Sequence, residues 1–226
     1  MKYESQINSL FNSIDDDYLI DLICEFSRIK SVWDPENGFS ELEAALWIEK
    51  KFKDFGFKTD FYYVTDKRPN VIAELNFVNN LNSENSNIPT LLLEGHTDVV
   101  TEGDSSLWSV DPFSATIKND RIIGRGVNDM KSGLICALYA MKLIKDSNLE
   151  LNGNLICAAL CDEEGEMIGV KDFVQSEYAD RISSVIVCEP EANNICIEQK
   201  GVAWICLLYT SPSPRDQRGS GIARSA

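Results

Sequence analysis

The segment "LLLEGHTDVV", residues 91–100, holds the one histidine of the chain, His96, with Asp98 two positions on. Residues two apart in extended backbone point to the same side, so imidazole and carboxylate would face one site together. A carboxylate that accepts the second ring N–H fixes the tautomer and raises ring basicity, the usual support of a metal-binding His. For an isolated H-x-D pair, a core or surface His beside a helix cap is the commoner reading. Three further acidic groups stand in comparable places. Asp162-Glu163-Glu164 follows the apolar run "NLICAAL", Glu189 comes at the end of "SVIVCE", and Asp129 lies in "GRGVNDMKSG" just ahead of a helical run. Adjacent carboxylates after an apolar strand repel one another unless cations intervene. A divalent ion would remove that repulsion, one Glu binding it while its neighbour faces a bound water. A solvated acidic loop is the bland alternative for the triplet, and a strand-end surface carboxylate for Glu189.

These groups must be carried by strands and helices. "KTDFYYV", "NVIAEL", "TLLLEG", "NLICAAL" and "SVIV" read as strands, the last two as buried ones. "ATIKNDRIIGRG" reads as a hairpin turning at Asn119-Asp120. Helices are expected over about Asp16 to Lys30, over "KSGLICALYAMKLIKDS", and over "SELEAALWIEKKFKDFG". The last starts with a capping box, Ser40 and Glu43, ends at Gly56, and lines one face with Leu42, Ala45, Leu46, Ile48, Phe52 and Phe55. Strands alternating with helices predict an α/β domain with a mixed, largely parallel twisted sheet flanked by helices. In such sheets ligands bind beyond the carboxyl ends of the strands, which is where the acidic clusters fall.

Composition narrows the partners. Lys and Arg number 21 against 36 acidic residues, a formal net charge of -15 over 226 residues. That surface repels nucleic acid and anionic membranes and suits clustered carboxylates that hold metal ions. No apolar run reaches the roughly 20 residues of a membrane span, and "MKYESQINSL" lacks the apolar region of a signal peptide. The seven cysteines form no C-x-x-C and read as reduced core residues of a cytoplasmic protein. Gly124 and Gly126 give half of a dinucleotide fingerprint, but Asp129 stands where the third glycine belongs. No G-x-S-x-G occurs to form a serine nucleophile elbow. After "KGVAWI" the chain turns to "CLLYTSPSPRDQRGSGIARSA", rich in Ser, Pro and Arg and without periodicity. Residues 1–205 are therefore expected to be the folded part, and 206–226 a disordered tail of foreign origin replacing a natural continuation past Ile205.

"GHTDVV", "WSVDPFSATIKNDRIIGRGVNDMKSG", "DEE" and "CEP", in this order and spacing, resemble the M20 family of metal-dependent amidohydrolases and peptidases. The similarity is to its acetylornithine deacetylase and succinyl-diaminopimelate desuccinylase group, and runs from about Asp16 to Ile205. It implies a zinc-exopeptidase-like catalytic domain, here incomplete, and two Zn ions, sometimes replaced by Co. His96 and Glu189 would bind one ion, Glu164 the other, and Asp129 would bridge both, with a cis peptide between Asp129 and Met130. Asp98 would orient His96, and Glu163 would be the general base, near the ligands without joining them. The activity implied is hydrolysis of an N-acyl amino acid. A dipeptidase or carboxypeptidase of the same fold, or a metal-free module, are the alternatives. Thr101 and Glu166 depart from the family's usual Pro and Gly, away from the ligands. The resemblance also implies a homodimer built through a lid domain, and a last His ligand beyond it. This chain holds neither, so alone it is expected to be inactive.

Overall fold

The computed structural model describes residues 3–77, 88–147, 149, 151–192 and 194–198. In chain order the elements are α1 (Glu4–Asn12), α2 (Asp16–Ser27), α3 (Leu42–Asp54), β1 (Lys58–Thr65), β2 (Arg68–Asn76), β3 (Thr90–His96), β4 (Thr116–Lys118), β5 (Arg121–Ile123), α4 (Ser132–Asp146), β6 (Asn154–Leu160), α5 (Ile168–Phe173) and β7 (Ser184–Val187). The main sheet has the order β1-β2-β6-β3-β7. β1–β2 and β2–β6 are antiparallel, β3–β6 and β3–β7 parallel. Four strands thus run one way and β2 runs against them, which makes the sheet mixed and largely parallel, as predicted. Asn119 and Asp120 both have left-handed backbone, φ 52° and 57°, and close the separate β4–β5 hairpin where expected.

Alternation along the strands splits the core into two layers. Val71, Ala73, Leu155, Cys157 and Ala159 face α2, α3 and α4, packing with Phe26, Ile48, Phe52, Leu134 and Leu138. Their neighbours Ile72, Ile156, Ala158 and Leu160 face the other way, onto Phe173 and Tyr178. The sheet's centre is therefore covered on both faces, and β2 is buried from Arg68 to Glu74 and β6 from Leu155 to Leu160.

Four local readings need correction. Helix α3 begins at Leu42 without a capping box: the Ser40 hydroxyl accepts the Leu42 N–H at 3.3 Å, and no side chain caps the helix start. Its buried stripe is Ala44, Ala45, Ile48 and Phe52, while Leu46 is 48% exposed. At 3.6 residues per turn Leu46 sits about 160° around the helix from Ile48, so it cannot share that face. β7 is exposed along its whole length, not buried: among the described residues it pairs only with β3 and lies at the sheet edge. Among the cysteines, Cys24, Cys157 and Cys161 are buried as expected, but Cys136 and Cys196 are exposed. The α1 helix adds an amphipathic turn that the sequence reading left unassigned. The tail from Cys206 and the "KGVAW" segment lie outside the described residues.

Helix α4 and the end of β7 meet with no room to spare: a Cβ on Gly133 would run into the Cys188 carbonyl. Gly133→Ala is expected to lower the unfolding free energy by about 1–3 kcal/mol through overpacking. Leu46→Ala, at an exposed position, is expected to change it by no more than about 0.5 kcal/mol. Urea denaturation checks both, and a Gly133→Ala protein as stable as its parent would contradict this packing.

Candidate metal centre

Register brings the chemistry together. His96 ends β3 directly beside Leu160, the last residue of β6. Glu94 is level with Val187 on the other side, so Glu189, two residues on, lies level with His96. Because the three strands are parallel, their carboxyl ends share one edge of the sheet. A Thr97 N–H to Leu160 carbonyl bond of 2.8 Å and a Cys188 N–H to Glu94 carbonyl bond of 2.9 Å tie the strand exits together.

Asp129 arrives from a different direction. The chain between β5 and α4 turns at Gly126, whose φ of 76° is left-handed and whose Cα lies against Val99, with no space for a side chain. That is the role of the glycine that resembled half of a nucleotide motif. The Asp129–Met130 peptide is cis, and the Met130 sulfur accepts the His96 N–H at 3.2 Å. Asp129 lies beside the imidazole, its carboxylate 3.2 Å from Nε2.

The two ring nitrogens have separate surroundings. Nε2 lies 3.1 Å from a Glu189 oxygen, 3.2 Å from an Asp129 oxygen and 3.9 Å from a Glu163 oxygen. Nδ1 faces Asp98, 2.9 Å from its backbone carbonyl and 3.5 Å from its carboxylate. An Nδ1–H donated to the carbonyl would leave Nε2 as the ligand nitrogen. The Asp98 carboxylate does a second job: its two oxygens accept the Glu163 and Glu164 N–H groups at 3.0 Å each. His96 and Asp98 are almost wholly buried, whereas the Asp129, Glu163 and Glu189 side chains reach solvent.

Donor atoms gather in two groups that share His96. One is His96, Asp129 and Glu189; the other is His96, Glu163 and Glu164, with ligand atoms within 4.8 Å of one another in each. Asp129 thus stands with Glu189, and Glu164 with Glu163. Glu163 comes closer to the cluster than the resemblance implies. The set of one imidazole and several carboxylates is what zinc or a similar divalent cation takes.

The charges also fit a cation. Burial and then the Asp129 carboxylate push the Glu164 carboxyl up to about 7, and burial raises Glu163. For His96, burial would favour the neutral ring, but hydrogen bonds to Asp129, Asp98 and Glu189 outweigh it and raise the imidazole above its ordinary value. Burial would likewise raise Asp98, yet the His96 ring and the two amides keep it below the ordinary carboxylate range. A proton on His96 answers the clustered negative charge where a metal would otherwise do so.

Sequence reading missed three charged residues beneath the site, Lys131, Arg68 and Glu41, and the structural role of a fourth, Asp162. Lys131 is fully buried, donates to the Ile29 carbonyl at 2.6 Å, and is pushed down to about 7 by burial. Arg68, Glu41 and Asp162 form a buried ion network. Nothing in their spacing separates them from surface charges; the nearest signal is that Arg68 opens an apolar strand.

Stability should follow the pH of these groups. Glu41, Glu94 and Glu164, each pushed up to about 7 from an ordinary 4.5, hold protons in the folded chain that the unfolded chain has lost. Between those values the folded state binds more protons, so each group withdraws stability as pH rises. His96, also raised, gives its full contribution below the ordinary 6.5 and loses it as pH rises toward its folded value. With EDTA present, the melting temperature is expected to fall from pH 5 to pH 7.5. Added Zn2+ should raise it at pH 7.5 and barely at pH 5, because the ligands must first lose protons. Calorimetry reads both; a stabilisation by Zn2+ equal at the two pH values would contradict the site.

The profile of peptidase family M20/M25/M40 matches residues 92–204. The "Probable succinyl-diaminopimelate desuccinylase" of Staphylococcus aureus (strain MRSA252) is 30% identical over 162 residues, 72% of this chain and 38% of that protein. The N-formyl-4-amino-5-aminomethyl-2-methylpyrimidine deformylase of Bacillus subtilis (strain 168) is 33% identical over 132 residues, 58% of this chain and 30% of that protein. Among solved structures, the M20 family metallo-carboxypeptidase Sso-CP2 from Sulfolobus solfataricus superimposes with a TM-score of 0.63 at 31% identity, covering 77% of this chain and 37% of that one. The chain spans under two-fifths of the length of each of these relatives. The match to the family profile takes in His96, Asp98, Asp129, Glu163, Glu164 and Glu189, and the chain belongs to peptidase family M20/M25/M40.

Proposed function

We propose that this chain carries most of the metal centre of a hydrolase that cuts the amide bond of an N-acyl amino acid, with Glu163 as general base. The observation that supports it most is His96, whose Nε2 is approached by Asp129, Glu189 and Glu163 from three separate elements. In this reading His96, Asp129 and Glu189 would hold one divalent ion and Glu164 a second, with Asp129 shared as the resemblance implies. When bound, the ions, Zn or Co, supply Lewis acidity for the scissile carbonyl and a water of lowered pKa.

The chain's own residues do the rest. Asp98 holds the imidazole through Nδ1 and anchors the Glu163-Glu164 backbone. Glu163 is half-buried, and burial raises its basicity. It can take a proton from the attacking water and pass it to the leaving nitrogen as the C–N bond breaks. One water is consumed, and a carboxylic acid and an amine leave. Family membership and the desuccinylase and deformylase names of two relatives support an acyl-amide substrate. A carboxypeptidase is the second reading, favoured by the likeness to Sso-CP2. A metal-free module is disfavoured by the presence of every one of these ligands. The remaining ligand, a lid domain, the homodimer it would form and a cytoplasmic setting belong to this proposal too. No helix of the described residues is long and apolar enough to cross a membrane.

The test uses a protein extended past Ile205 to the length of its relatives. It should release amine from N-succinyl, N-formyl or N-acetyl amino compounds faster than from dipeptides, and EDTA should stop it. Glu163→Gln should lower kcat by about 10²–10⁴-fold with metal content unchanged. Turnover that survives exhaustive chelation, or loss of metal together with activity in Glu163→Gln, would contradict the assignment.

A further inference from the structure

The loop that carries Glu163 and Glu164 is wrapped around one side chain. Asp162 has left-handed backbone, φ 63°, at the point where β6 ends. Its carboxylate accepts the Glu166 N–H at 3.0 Å and the Ile168 N–H at 3.3 Å, while its carbonyl accepts the Met167 N–H at 2.7 Å. Gly165 closes over the same carboxylate, leaving no space there for a Cβ.

What fixes Asp162 lies on other elements. The Arg68 guanidinium, at the start of β2, donates to Asp162 at 2.5 Å and to Glu41, just ahead of α3, at 2.6 and 2.9 Å. Trp33 covers its face, the ring centre 4.2 Å from the guanidinium carbon. All three charged groups are buried, Glu41 completely. Among the described residues the second Glu41 oxygen has no hydrogen-bond partner, and Arg68 is the cation that meets both carboxylates. A fork-shaped cation that meets two carboxylates at once does what a lysine cannot.

We propose that Arg68 is a positioning residue for the metal centre: bridging Glu41 and Asp162, it holds the turn at Asp162 that presents Glu163 and Glu164 to His96. This rests on the reading of the cluster as a metal site. Its reach is selective. The His96–Glu163–Glu164 group depends on the loop, whereas the His96–Asp129–Glu189 group does not.

Hydrogen–deuterium exchange of the 226-residue chain, with Zn2+ titration by calorimetry, tests it. In Arg68→Met, amides of residues 162–168 should lose protection by about ten-fold or more, while those of β3 and β6 keep theirs. Zn2+ affinity should fall on the order of ten-fold. Arg68→Lys, which keeps the charge but not the fork, should show the same pattern more weakly, and it is the variant to read if Arg68→Met does not fold. Unchanged protection over residues 162–168, or an even loss across β3, β6 and the loop, overturns the proposal; the even loss would mark a merely stabilising ion pair. His96→Ala separates the two claims. If it leaves Zn2+ affinity intact, the metal-site reading fails, while the exchange pattern still decides whether Arg68 holds the loop.

Discussion

Everything in this structure turns on the crowding of carboxylates about one imidazole. Asp98, Asp129, Glu163 and Glu189 approach His96 closely, and Glu164 completes the ring of ligand atoms. Like charges so placed in a half-buried cleft are unfavourable until a cation joins them. The same carboxylates favour a proton on His96, whose pKa they raise. A divalent ion serves better, because it meets several oxygens at once. The parallel triplet of strands exists, in functional terms, to bring three chain segments to one edge where that crowding can happen.

Positioning is layered. Asp98 touches the ring and, with its carboxylate, the backbone of the two following glutamates. Asp162 gathers the next turn of the same loop, and Arg68 fixes Asp162 from β2. Lys131 is buried and donates to the Phe26 and Ile29 carbonyls at the end of α2 and just past it. Asp98, Asp162 and Arg68 are buried and charged, and they constrain the glutamate loop through directional bonds rather than through packing alone. The family's chemistry demands such constraint, since a metal ligand displaced by a fraction of an ångström binds poorly.

Much of this was legible in the sequence, for definable reasons. Apolar runs ending in Gly95-His96, Asp162 and Glu189 announced parallel strand ends, because a strand buried on both faces must be apolar throughout and its first polar residue marks the exit. The residues that gather in both groups could be singled out for that reason and by resemblance. What stayed hidden depended on three-dimensional neighbours. Leu46 counts as apolar wherever it falls, and only its angle around α3 puts it outside. β7 reads as a core strand, yet its exposure is decided by what packs beside it. Arg68 and Glu41 look like surface charges, being 27 residues apart and polar. The carboxylate of Asp98 was expected to serve the ring and instead divides itself between the ring and two amides, a role that no spacing rule contains.

The most direct measurement is the zinc K-edge X-ray absorption of the chain loaded with one equivalent of Zn2+ at neutral pH. The account predicts nitrogen and oxygen ligands at about 2.0–2.2 Å, with the outer-shell scattering of a single imidazole. A sulfur shell near 2.3 Å would move the metal to the cysteines, Cys188 beside Glu189 among them. An oxygen shell with no imidazole would place it on the acidic surface. Either result would contradict a centre built on His96.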